Sequence, residues 1–494
     1  MPRSFLRRAV ALLLLLSGFA ALAAGCRQTP GGPAKVTVIG NAPKLRDPAA
    51  GPLSPADAVL IANVAQGLVR FDAAGNIVAG LAERWNVSDD GMSYIFRIAP
   101  AEWHGGGKIT AQQVARILKR TLGPRSRNPL RDTLGAVNDV VAMTDRVVEI
   151  RLKAPRPNLL ALLAQPEMAI LRGSAGGGPF TIAPEPAENG ALRLTREVVA
   201  GEDERAQEQA VLLAGATAAE AVRAFAAGDT DLVLGGTFAD LREAQGAGLP
   251  RGRLRFDPAS GLFGLVPVRS GDALDDPEIR RILSAAIDRD AIMATLGVPG
   301  LAPRATLLEP GLDGLAAPAP PAWTAVPMEE RRPSLAAQAA AKFGAGDKPI
   351  LRIWLPMGPG GDVLLELLRR DWGVLGFQVE RARSLGSADF RLIDEVAPST
   401  SPAWFLRRFL CRAAAPCDKE ADTLLEAARN TPLPDQRIAL LQQAADRIEQ
   451  AQLFLPIAAP VRWSLVSPRL RGFAGNRFAR HTLIDLEQRP GRRD

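Results

Sequence analysis

The 494-residue chain is poor in the residues that build most metal and redox centres, with two His, three Cys and one Tyr. Two His argue against a His-built metal site, and three Cys cannot staple a disulfide scaffold. Beyond the first 25 residues no apolar run approaches the ~20 residues that a membrane span needs, which excludes a polytopic transporter. Runs of five or six basic residues are missing, and one Tyr offers little for base stacking, so the sequence argues against nucleic acid as a partner. The formal net charge of +7 includes Arg3, Arg7 and Arg8 near the N-terminus, and the rest of the chain carries only +4. What is present is a globular composition, 47% hydrophobic and 23% charged with 46 Gly and 40 Pro. The length fits roughly two to four domains.

Residues 1–25 read as an export signal. The basic start precedes an apolar stretch from Ala9 to Ala24 that includes Leu12–Leu16, and small residues Ala23, Ala24 and Gly25 lead to Cys26. Such a short apolar core fits a signal segment better than a membrane helix. Leu22-Ala23-Ala24-Gly25-Cys26 resembles a bacterial lipobox, in which the cysteine thiol carries the lipid; Ala23 stands where that pattern prefers Leu. The alternative is an ordinary cleavage site followed by an incidental Cys. Residues 27–34, rich in Pro and Gly, then read as a flexible tether. Export implies an oxidising compartment, where Cys411 and Cys417 either close a local disulfide worth about 2 kcal/mol or remain two thiols.

Short β-type runs alternate with amphipathic helical runs throughout, which predicts an α/β fold. Val36–Ile39 reads as a strand, and Ser54-Pro55 as the capped start of a helix running to about Gln66. Phe71–Ile77 reads as strand, turn and strand around Gly75, and Met92–Ile98 alternates as a half-exposed strand. Thr110 caps a helix over 111–120, and 217–227 reads as a helix that stops at Gly228. Thr230–Leu234 reads as a strand, and Asp276-Pro277 opens a helix that includes Ile287. Helices are predicted at 363–370, 423–429 and 435–451, with strands at 377–380 and 454–458. Breaks rich in Pro, Gly or Ser fall at 173–179, 309–327 and 398–402.

Catalytic constellations are poor. Trp103-His104-Gly105-Gly106-Gly107-Lys108 lacks the spacing of a phosphate-binding loop and reads as a Gly-rich turn. Gly176-Gly177-Gly178-Pro179 suits a backbone crossing between lobes, and no serine-hydrolase arrangement is present. The expectation is that the protein is not an enzyme and uses neither a cofactor nor a metal.

The order of segments resembles the family 5 extracellular solute-binding proteins, the oligopeptide-, dipeptide- and nickel-binding subunits of ABC importers. Residues 67–91 are similar to the signature of that family, followed by its Trp-His turn (Trp103-His104) and its Thr-Ala-x-x-Val helix (Thr110–Val114). Gly177-Gly178-Pro179-Phe180, Phe225–Leu232, Leu274–Ile292, Leu453–Ile457 and Leu470-Arg471-Gly472-Phe473 continue the resemblance over 36–475. It implies a two-lobed periplasmic-binding-protein-like fold with an inserted subdomain in the first lobe. The first lobe would span 35–260 with its insert near 51–172, and the second 261–455; residues 456–494 would return to the first. It also implies a monomer that captures a peptide-like solute between its lobes and serves ABC permease and ATPase subunits. The location would be the periplasmic side of the bacterial envelope, with Cys26 as lipid anchor.

One segment departs from the peptide-binding pattern. Those members carry an Asp-Tyr-x-Asp-Pro-like stretch whose first Asp pairs with the α-ammonium of the ligand. The corresponding Ala397-Pro398-Ser399-Thr400-Ser401-Pro402 has no carboxylate, leaving Asp394 and Glu395 upstream as substitutes. Position in that loop makes Asp394, Glu395, Ser399, Ser401 and Trp404 the candidate ligand contacts, with core packing beside Phe405 as the alternative for Trp404. Nickel or a metal chelate remains a second ligand class, and a ligand-free assembly or signalling role a third. Replacing Cys26 by Ser is expected to move the protein from the detergent phase to the aqueous phase in a detergent-partition assay. Aqueous partitioning of the unaltered protein would refute the anchor.

Overall fold

The computed structural model describes residues 32–488 except 186, 188–189, 200–205, 270–271, 344–348 and 413–415. The leader, Cys26 and most of the tether lie outside the described residues. Two large sheets define two lobes, and a third forms an inserted layer.

The sheet of the first lobe has seven strands, ordered Leu254–Phe256, Arg462–Val466, Leu232–Thr237, Ala34–Ile39, Ala206–Ala216, Leu192–Val199 and Thr181–Ile182. Its centre is parallel: Ala34–Ile39 pairs parallel to both neighbours. The crossover between those neighbours is the helix Ala218–Ala227. Thr217 and Glu220 close a reciprocal capping box at its start, and Gly228 ends it in the left-handed region.

The inserted sheet has four antiparallel strands in the order Ala82–Val87, Ser93–Ile98, Val147–Leu152 and Val137–Thr144. The helix Ala111–Leu122, capped by Thr110 and Gln113, buries Val114 and Leu118 in the core of this layer. Before this sheet, Val69–Phe71 and Ile77–Ala79 form the predicted hairpin, and Gly75 supplies the φ of 82° in its turn.

The second lobe is built on five strands, Gln378–Arg381, Ile350–Trp354, Phe390–Val396, Gly261–Pro267 and Leu455–Ala458. The chain passes between the two lobe sheets twice, at 257–260 and again at 459–461. Around these crossings one hydrophobic core is continuous, joining Val233, Phe238, Trp463 and Leu465 to Phe263, Leu265 and Leu455. The rings of Phe238 and Phe263 meet edge to face at 4.9 Å.

Three sequence expectations are revised, and one helix had no counterpart among them. The helix that opens at Asp276 stops at Ala286; Ile287 turns extended and Asp288 caps a second helix, Arg289–Leu296. The buried Arg289 guanidinium accounts for the break. It donates to the carbonyls of Ser284, Ile287, Arg304 and Pro456, including a carbonyl that a continuous helix would bond internally. The helix Pro55–Val64, expected in the insert, instead packs its Ala56, Leu60 and Val64 with Val36 and Val38 of the seven-stranded sheet. Gly176–Gly178 runs within the first lobe rather than between lobes: Gly178 donates to Val64 O and His104 donates to Gly176 O. The helix Met328–Phe343 was not legible, because Pro333 interrupts it and it buries only Leu335 and Ala339.

Trp463 makes the hinge core tight. Its indole donates to Thr237 O at 2.8 Å and lies flat against Gly236, where an added Cβ would stand 2.1 Å from the ring. Gly236→Ala is therefore expected to destabilise the protein by about 2 kcal/mol through overpacking. Urea unfolding followed by Trp fluorescence checks this; an unchanged midpoint would refute the close approach.

Candidate functional site

In an open α/β sheet, ligands collect where the parallel strands end at their carboxyl edge. In the first lobe the parallel pairing of two central strands stops at Val38 and Leu234, and these two residues with Gly235 line a cavity of about 90 Å³. One wall is the helix Pro55–Val64, which presents Ala58, Val59 and Ala62. The polar lining is Gln66, Arg70, Gln165, Arg480, His481 and Thr482. Burial lowers the pKa of the Arg70 guanidinium, and the carboxylates of Asp485 and Asp72 oppose that shift.

A polar relay leads from this cavity to the second lobe. Arg480 donates through Nη2 to Glu167 Oε1 at 2.8 Å and through Nε to Gln165 Oε1 at 3.0 Å. Gln165 Nε2 then donates to Pro398 O at 2.9 Å. Because Arg480 occupies the amide oxygen of Gln165, its NH2 group is turned toward the other lobe. Asn476 positions this arm: its Oδ1 accepts from the backbone N–H groups of Phe478 and Arg480. The Asn476 backbone donates to Asp257 Oδ1 at 2.9 Å, and His481 Nε2 lies 3.2 Å from Asp257 Oδ2. Asp257 belongs to the first hinge crossing, so the relay is braced by the hinge itself.

The five candidate contacts have distinct surroundings. Asp394, on the strand Phe390–Val396, pairs with Arg462 at 2.7 Å, and Arg462 Nη2 also donates to Asp394 O at 2.9 Å. This pair spans the lobes, since Arg462 lies on a strand of the seven-stranded sheet. Burial pushes the Asp394 carboxyl pKa up while Arg462 pulls it down. Glu395 pairs with Arg408 at 2.8 Å, and Arg408 in turn covers the Trp404 ring at 4.7 Å. Trp404 is 3% exposed and packs edge to face on Phe405, inside a core of the second lobe. Ser399 is 1% exposed, and its hydroxyl accepts weakly from Ser401 N at 3.4 Å. Ser401 precedes the helix Pro402–Leu406 and faces a second cavity.

Both carboxylates are thus paired, and Trp404 belongs to packing. Cys411 and Cys417 are joined by a disulfide. His104 Nε2 meets Gly178 O at 3.0 Å, far along the chain from His481 and its Asp257 partner. Among the described residues no three His, Cys, Asp or Glu side chains cluster to hold a metal ion.

Gln165, Glu167, Arg480 and Arg462 escaped the sequence reading. The only signal they offered was charge or amide chemistry, which is common on any surface.

The chain matches the family described as bacterial extracellular solute-binding proteins, family 5 Middle, over residues 76–389. A probable di/tripeptide-binding protein 5 from Pseudomonas aeruginosa is 25% identical, aligned over 84% of this chain and 88% of its own. A dipeptide-binding protein from Lactococcus lactis is 30% identical over a shorter stretch, 21% of this chain and 22% of its own. Among solved structures, the murein tripeptide binding protein MppA of Escherichia coli superposes with a TM-score of 0.78 at 19% identity, covering 93% of this chain and 99% of that one. OppA of Haemophilus influenzae, in complex with RPPGFSPFR, superposes with a TM-score of 0.74 at 17% identity, covering 93% and 100%. At these identities the structures establish the fold.

Removing one partner of the hinge pair leaves the other as an uncompensated charge. Arg462→Met is expected to cost about 3 kcal/mol near neutral pH. In that variant the native Asp394 carboxyl has a pKa raised further above its unfolded value, so the native state binds more protons and stability falls as pH rises through that window. The deficit relative to the unaltered protein should therefore shrink as pH falls to about 4. Urea titrations at both pH values test this; a deficit independent of pH would show that Asp394 is not the group exposed by the change.

Proposed function

The chain belongs to the bacterial extracellular solute-binding proteins of family 5, and from that premise we propose that it captures a peptide-like solute between its lobes for an ABC importer. The observation that carries this reading is the relay Glu167–Arg480–Gln165–Pro398, which crosses between the lobes beside the cavity of the first lobe. A solute with main-chain amides can exchange hydrogen bonds with such groups, which are polar, oriented and few. Ligand that touches both lobes favours the closed arrangement by its differential affinity for that state. The two crossings at 257–260 and 459–461 are where closure would bend the chain.

Within this reading the segment Asp394–Trp404 is the second-lobe wall. Its Pro398 carbonyl and the Ser399–Ser401 stretch offer polar groups to a peptide backbone. Asp394 and Glu395 would receive an α-ammonium only by giving up Arg462 and Arg408 in part. Cys26 carries a lipid that keeps the protein at the outer face of a membrane, where the closed form hands its solute to the permease and an ATPase drives release inward.

Thermal unfolding of the protein from Arg27 onward, with pooled tri- to hexapeptides and their N-acetylated forms, tests the reading. Peptide at 100 times Kd adds about 2.7 kcal/mol and raises Tm. Stabilisation by free peptides alone is the outcome expected if an ammonium is paired. Equal stabilisation by both forms keeps peptide capture and removes the ammonium role of Asp394 and Glu395. No shift with either pool overturns peptide capture.

A further inference from the structure

A second cavity lies between the inserted layer and the second lobe, with a volume of about 60 Å³. Four arginines line it: Arg156 from the insert, and Arg407, Arg429 and Arg437 from the second lobe. Two carboxylates, Asp132 and Asp313, share the lining. Asp132 is engaged elsewhere, by Arg412 at 2.7 Å. Asp313 acts on Arg437 only through its field. Among the described residues the one ion pair made by any of the four is the long Arg429–Glu426 contact at 3.6 Å. Arg407 Nε is buried without a hydrogen-bond partner among the described residues.

Two of the guanidinium groups, those of Arg156 and Arg437, are held in place by backbone carbonyls instead. Arg156 donates to Pro155 O and to Arg429 O, each at 2.8 Å, and Arg437 donates to Pro155 O. Carbonyls fix orientation but cancel no charge. The cost shows in Arg156, whose pKa falls to about 10, first through burial and then through Arg437, Arg429 and Arg407. Burial followed by Arg429 and Arg412 lowers that of Arg407 as well, with the fields of Asp132 and Glu426 opposing in part. Converging guanidinium groups with donors to spare are the arrangement that binds carboxylate or phosphate in bidentate fashion.

The cavity also adjoins the proposed solute path. Pro398, which receives Gln165, and Ser401, which lines the arginine cavity, lie three residues apart on one segment. We propose that the arginine cavity receives an anionic group of the solute, a carboxylate or a phosphate, so that the protein selects acidic solutes over neutral and basic ones. The inference rests on solute capture between the lobes. Arg156 stands on one side of the cleft and the other three on the opposite side, so an anion there draws the lobes together.

The test compares peptide pools that differ in charge: Asp- and Glu-rich, phosphoserine-containing, neutral and Lys-rich, titrated by calorimetry into the protein and its Arg407→Gln and Arg437→Gln variants. Among the described residues the Arg407 side chain makes no hydrogen bond that the substitution would remove, and circular dichroism melts verify both variants. Acidic pools are expected to bind the unaltered protein about tenfold or more tighter than neutral ones. Arg407→Gln should erase most of that preference while leaving neutral peptides unaffected. The Glu-rich and phosphoserine arms identify which anion is preferred. Equal affinity across the pools, or a preference that survives in both variants, overturns the inference while solute capture stands. If no peptide binds at all, solute capture as peptide fails, and glutarate and inorganic phosphate decide the cavity alone. Stabilisation by either that Arg407→Gln abolishes supports the anion site, and its absence overturns it.

Discussion

The protein depends on its double crossing between sheets. Two strand connections, at 257–260 and 459–461, join the lobes, and every group that faces the cleft is placed relative to them. Phe238, Phe263 and Trp463 fill the space beside the crossings, and the Asp394–Arg462 pair spans them at 2.7 Å. A packed core resists stretching but tolerates small changes in angle, whereas an ion pair of this kind holds only over a narrow range of distance. The crossings therefore combine a packed core with a charge contact that joins the two lobe sheets.

From that pivot the cleft acquires two different chemistries. Near the hinge, Asn476 and Asp257 brace Arg480, which holds Gln165 against Pro398, so the groups there are neutral amides and carbonyls backed by charge. Farther along the same segment of the second lobe, beyond Ser401, the lining turns to four arginines with little compensation. A solute spanning both regions would meet main-chain recognition at one end and anion recognition at the other. Such a division separates affinity, which any peptide backbone can supply, from selectivity, which requires a particular charge.

Much of the local structure was legible because it is governed by short-range rules. Ser54, Thr110 and Asp276 each cap the helix that the sequence placed after them, since a side-chain oxygen at that position satisfies an otherwise free N–H. The strand Ser93–Ile98 alternates in burial because Tyr94, Phe96 and Ile98 enter the core of the inserted layer. The reading faltered where partners are remote. Ile287 continues the apolar spacing of its helix, yet Arg289 breaks the helix there by bonding to Arg304 and Pro456. Sequence position alone offers Asp394 and Glu395 as substitutes for the missing carboxylate. Arg462 lies 68 residues from Asp394, and no local pattern announces that pairing.

By itself the sequence determined the α/β alternation, the helix starts and the family, because those follow from periodicity, capping chemistry and the order of segments. It also placed the second-lobe segment 397–402 as a departure from the peptide-binding pattern. Tertiary structure alone decided which groups meet in the cleft. Residues 165, 398 and 480 form one relay, and residues 156, 407, 429 and 437 one basic cavity, only after two lobes fold and face each other. The reason is physical: hydrogen bonds and ion pairs depend on separations of about 3 Å in space, a quantity that distance along the chain does not encode.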